Sequence, residues 1–126
     1  MKDKVVVLVT CGKASEARRI ARALVEGRLA ACVNVLETRV QSVYRWKGKV
    51  ETAGEYLLVI KSSRDLLSAV RAEVERLHSY EVPEVIAVPI VAGSPKYLRW
   101  LGEGLRPAPI KPGPRKESRQ ARRKRK

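Results

Sequence analysis

Three short segments of this chain are apolar at every position, and that property constrains its fold more than any other. Val5-Val6-Val7-Leu8-Val9, Tyr56-Leu57-Leu58-Val59-Ile60 and Val85-Ile86-Ala87-Val88 are rich in β-branched side chains and bounded by polar or turn residues. They read as strands. An antiparallel sheet with one wet face shows apolar and polar residues in alternation. These strands show none, so both faces need cover. At roughly 25 cal/mol per Å², leaving one face in water forfeits several kcal/mol and invites association. No segment of the chain is left over to supply that cover. Further copies in a closed ring are the simplest source, so the sequence predicts an obligate homo-oligomer.

The remaining elements fall around these strands. Residues 5–10 form the first strand. A helix opens at Ser15 or at the Gly12-Lys13 turn and runs to Glu26, with Ala14, Ala17, Ile20, Ala21, Leu24 and Val25 at helical spacing. Gly27 stops it. Residues 29–35 and 40–46 read as one long bent second strand. Lys47-Gly48 makes the turn into a third strand from Val50, completing a long hairpin. Ser63 caps a second helix over 64–78, striped by Leu66, Leu67, Val70, Val74 and Leu77. Residues 84–91 are a fourth strand, which Pro89 assigns to a sheet edge because proline has no N–H to donate. A short terminal helix spans 95–101. The order βαββαβ plus a helix predicts an α+β, ferredoxin-like two-layer sandwich.

A chain of 126 residues supports one domain. We expect it over residues 1–101, followed by a Pro/Gly linker and basic tail over 102–126. Ten of the 27 Lys and Arg residues lie in 102–126 with only two Glu, so the net charge of +14 is concentrated there. Arg115, Lys116, Arg119, Arg122, Arg123, Lys124, Arg125 and Lys126 could contact nucleic-acid phosphates. They carry no interleaved aromatics for base stacking, and a solubilising extension is the plainer reading. No apolar run approaches the ~20 residues of a membrane span. The start lacks the apolar core of a signal peptide. Cys11 and Cys32 form no disulfide framework. A cytoplasmic protein is expected.

Several blocks carry a resemblance to one family. Leu24-Val25 with Leu29-Ala30-Ala31-Cys32-Val33-Asn34 resembles the start of the second strand in CutA divalent-cation-tolerance proteins. Ser42-Val43-Tyr44-Arg45-Trp46-Lys47-Gly48-Lys49 is similar to that family's hairpin tip. Glu55, Leu58 and Lys61 resemble its third strand. Leu77-His78-Ser79-Tyr80-Glu81-Val82-Pro83-Glu84 and Tyr97-Leu98-Arg99-Trp100 resemble its remaining signatures. The blocks cover residues 5–101 in order. The resemblance implies a homotrimer, kinship in architecture to P-II signalling proteins that bind small ligands between subunits, and a role in divalent-cation tolerance with copper as a candidate metal.

Two constellations could carry chemistry. Cys32 and His78 match family positions, and thiolate with imidazole suits copper. The plainer reading makes Cys32 a core residue and His78 the end of the second helix. Tyr44, Trp46, Glu55, Lys61, Tyr80 and Glu84 could line a small-ligand cleft; alternatively Tyr44 and Trp46 brace the hairpin. The sequence has no G-x-S-x-G, P-loop or G-x-G-x-x-G motif and a single histidine, so catalysis is not expected.

Overall fold

The structure, a computed structural model, describes residues 3–108. Strand β1 (Lys4–Cys11) leads into helix α1 (Ala14–Glu26). Strands β2 (Cys32–Val35) and β3 (Val40–Trp46) follow, then the long β4 (Lys49–Ser63). A 3₁₀ turn (Arg64–Leu66) enters helix α2 (Leu67–Leu77), and β5 (Ile86–Pro89) and α3 (Pro95–Glu103) complete the chain. This is an α+β architecture on an antiparallel sheet of order β2-β4-β1-β5, with β3 pairing β4 beyond the end of β2. Proline 89 stands opposite Val5 on the edge strand β5, as its missing donor requires.

The two faces of the sheet differ in cover. Val5, Val7, Val9 and Cys11 alternate along β1 and are fully or almost fully buried, together with Leu58 and Ile60 of β4. Against them pack Ala17, Ile20 and Leu24 of α1 and Val70 and Val74 of α2. Val25, expected in the α1 stripe, is 41% exposed because it lies at the margin of that arc. On the other face α3 covers only the Lys4 end, where a side chain added at Gly102 would meet Lys4. Val6, Leu8, Leu57 and Val59 remain part-exposed there. Ile86 and Val88, which pair with Leu8 and Val6, are 51% and 48% exposed. Within one chain, the greasy second face read from the sequence is therefore open.

Three local expectations are corrected. The second strand is not continuous: Val35 pairs with Leu58 and Val40 with Glu55, five steps along one strand against three on the other. The two surplus residues are thrown out of the ladder as a bulge. Ser63 makes no capping hydrogen bond, since it ends β4, buried, and a 3₁₀ turn precedes α2. Gly27 does not supply the left-handed residue that ends α1. Gly27 has φ −81° and Arg28 has φ 59°. The amides of Arg28 and Leu29 return to the carbonyls of Val25 and Leu24, closing a Schellman-type end. Arginine bears the left-handed strain there because its guanidinium donates to the Glu103 carbonyl at 2.8 Å and the Gly104 carbonyl at 3.4 Å. That tie holds α3 to the body. The helix reaches Glu103, past the boundary expected at 101, and Leu105 still packs against the core.

Candidate functional site

The ionisable residues converge at the Cys11 end of β1. Cys11 is the last residue of that strand and points to the helix side. Glu16 lies in the first turn of α1, on the same side of the helix as Ile20 and Leu24, and is buried with them. His78 is the residue that ends α2, its amide donating to the Val74 carbonyl. One ligand atom each from Cys11, Glu16 and His78 lie within 4.8 Å of one another, and all three residues are buried.

Hydrogen bonds fix this arrangement. The Nε2 of His78 lies 2.7 Å from the Thr10 carbonyl oxygen, an acceptor only, so Nε2 carries the proton. Nδ1 is then the acceptor, taking the Tyr80 amide at 3.1 Å. The Glu16 Oε2 accepts the Ser79 amide at 3.2 Å and stands 3.3 Å from His78 Nδ1. Cys11 is completely buried, and among the described residues no hydrogen bond satisfies its thiol. Burial first, then the Glu16 and Glu55 carboxylates, push that thiol up to about 12. It is a thiol, not a thiolate, at neutral pH.

Next to this group lies a second one. The Tyr80 hydroxyl donates to Glu55 Oε2 at 2.7 Å, and its ring sits 4.7 Å from the His78 ring. Glu55 is 6% exposed although it lies on β4 near the hairpin. Burial, then the hydrogen bond to Glu55, raise the Tyr80 hydroxyl, with lesser pushes from Glu55, Tyr44 and Cys11. Burial and the Glu55 charge likewise hold the Glu84 carboxyl above its ordinary range. Tyr44, Glu55, Tyr80 and Glu84 thus share one neighbourhood with His78. Replacing Tyr80 by Phe removes the donor from a buried carboxylate and should lower stability by about 1–3 kcal/mol. Urea unfolding at fixed protein concentration checks this; an unchanged midpoint contradicts it.

Other expected members lie elsewhere. Lys61 pairs with Cys32 and hydrogen-bonds Asn34, six residues along β4 from Glu55 and so about 20 Å away. Trp46 is at the hairpin tip, 40% exposed, with the Lys47 ammonium 5.7 Å from its ring. Cys32 projects from the opposite sheet face to Cys11, beside Tyr97, whose hydroxyl is raised by burial and then by the Cys32 sulfur. Within one chain Cys32 does not join His78. The tail residues Arg115, Lys116, Arg119, Arg122, Arg123, Lys124, Arg125 and Lys126 lie outside the described residues. Cys11 and Glu16 escaped the sequence reading. The available signal was a carboxylate at position 16, in register with Ile20 and Leu24 on an otherwise apolar stripe.

Comparison with known proteins bears on this geometry. Residues 5–104 match the family described as CutA1 divalent ion tolerance protein. Divalent-cation tolerance protein CutA of Thermus thermophilus is 46% identical over 98 residues, which are 78% of this chain and 94% of that protein. Protein CutA homolog of Xenopus laevis is 50% identical over 95 residues, 75% of this chain and 62% of its own length. The chain spans about half to three-fifths of the animal and plant relatives it matches. The crystal structure of CutA1 from Oryza sativa superposes with a TM-score of 0.80 at 44% identity, covering 83% of this chain and 95% of that one. Sequence and fold agree throughout the described body, and the chain belongs to the CutA1 divalent ion tolerance protein family.

Proposed function

We propose that this chain is a homotrimeric divalent-cation-binding protein acting in metal tolerance rather than in catalysis. The observation that carries the cation reading is the convergence of Cys11, Glu16, Glu55, His78, Tyr80 and Glu84 at one end of the sheet. Two carboxylates raising each other's proton affinity, beside a sulfur and an imidazole, make a place where positive charge is favoured. The names of the relatives point the same way. Among first-row divalent ions copper stands first in the affinity order, with nitrogen and sulfur donors reinforcing that preference. Two free cysteines suit a reducing compartment such as the cytoplasm. Among the described residues no helix is long and apolar enough to cross a membrane.

The trimer rests on the open face of the sheet. Strand order β2-β4-β1-β5 with α1 and α2 on one side supports the ferredoxin-like arrangement, and in it nothing but α3 shields the other side. Tyr97 and Trp100 of α3, stacked 5.5 Å apart and about half exposed, extend the apolar surface. A P-II-like small-ligand sensor is the second reading, favoured by the grouping of Tyr44, Glu55, Tyr80 and Glu84 near the hairpin base. Isothermal titration of the full chain with copper, zinc and cobalt ions separates the two. Saturable binding of at least one ion supports the cation role. Binding of none of them, with stabilisation by a nucleotide or other organic anion instead, overturns it.

A further inference from the structure

We propose that Cys11, Glu16 and His78 form a buried three-ligand site for one borderline divalent ion of the zinc type. The proposal deepens the cation-binding reading by naming the atoms that hold the ion. A sulfur, a carboxylate oxygen and an imidazole nitrogen within 4.8 Å of one another are a donor set for such a metal. A tetrahedral ion with bonds of about 2.0–2.3 Å keeps its ligand atoms roughly 3.3–3.8 Å apart. The His78 Nδ1 and Glu16 Oε2 already stand 3.3 Å apart. Only a small inward turn of the Cys11 side chain is needed to complete the set.

Three features go beyond coincidence of residue type. Ligating histidines commonly donate their second ring N–H to a carbonyl or carboxylate, which orients the ring and fixes the tautomer. His78 does this to the Thr10 carbonyl, so the Nδ1 lone pair is the free one. Nδ1 and Oε2 are both acceptors in the neutral-histidine, ionised-carboxylate state, and two electron pairs facing each other in a buried site call for a positive centre between them. The Cys11 thiol, with no exposure and no hydrogen-bond partner among the described residues, is the third unsatisfied group in the same space. On coordination the S–H proton leaves to water and the sulfur binds as thiolate. The Tyr80 amide gives up Nδ1 and turns to solvent, which its part-exposed loop allows. With three protein ligands, the fourth position is left for water or for a group from the neighbouring Tyr80–Glu55 cluster.

The test uses the full chain, with cobalt(II) and zinc as probes because copper(II) can oxidise a thiol. Wild type and Cys32→Ser should show the near-ultraviolet thiolate-to-cobalt charge-transfer band, and zinc should abolish it by displacement. Cys11→Ser should lose the band. Glu16→Gln should keep the band but bind zinc at least about tenfold more weakly. Circular dichroism verifies that each variant is folded; if Cys11→Ser is not, Glu16→Gln carries the test alone. A band that survives in Cys11→Ser, one that vanishes in Cys32→Ser, or unchanged zinc affinity in Glu16→Gln overturns this site while leaving cation binding standing. A wild-type chain that binds neither ion overturns this site, and failure with copper as well overturns the functional reading beneath it.

Discussion

Leu8→Asp should destroy the assembly. Leu8 lies between Val59 of β4 and Ile86 of β5 on the sheet face that no helix of its own chain covers. In a closed trimer the new carboxylate would be buried without a partner in every subunit, at a cost of several kcal/mol each. Size-exclusion chromatography should show monomer or aggregate, and the melting temperature should fall sharply. Leu8→Met, which keeps the volume and the apolar surface, should leave the elution volume unchanged. A Leu8→Asp chain that still eluted as wild type would mean that this face is not the one covered.

The second large effect is expected in the layer between sheet and helices. Leu58 is fully buried at the centre of β4, paired with Val9 on one side and Val35 on the other. Leu58→Ala removes three carbons from the middle of the core, and the rigid strands on either side limit how far the gap can close. A loss of about 2–5 kcal/mol is expected. Because subunit association contributes to apparent stability, the urea midpoints of wild type and variant are compared at one protein concentration. A loss below about 1 kcal/mol would show that the site collapses freely, contrary to the packing described.

What the sequence revealed and what it concealed divide along physical lines. The alternation along β1, the stripes of α1 and α2, the hairpin turn at Lys47-Gly48 and the edge position of Pro89 are all local signals. Each depends on periodicity or on a backbone property of one residue. Lys47 and Gly48 both take positive φ, 51° and 83°, as a two-residue hairpin turn of this kind requires. The break between β2 and β3 was not visible, because a surplus of two residues exists only relative to the register on β4. The strain at Arg28 was hidden for the same reason: it is offset by contacts with α3, more than seventy residues away.

The candidate site follows this division. Tyr44, Glu55, Tyr80, Glu84 and His78 were named from the sequence and are found together, whereas Trp46 and Lys61 are carried off by the length of the same strands. Cys32 and His78 look like a natural pair by residue type, but strand parity puts Cys32 on the face opposite Cys11. Cys11 and Glu16 meet His78 only because α1 and α2 pack side by side over the end of β1. A carboxylate on an apolar helix stripe has to be either satisfied or used. Glu16 is held by the Ser79 amide and directed at His78, so it is both a structural tie between α1 and the end of α2 and a ready ligand.

Sedimentation equilibrium of the unmodified chain tests the central claim most directly. The account predicts one species of three times the 14.1 kDa chain mass, unchanged on dilution through the micromolar range. A well-folded, soluble species of 14.1 kDa under those conditions would contradict it, because the face bearing Val6, Leu8, Leu57 and Val59 would then have to tolerate water.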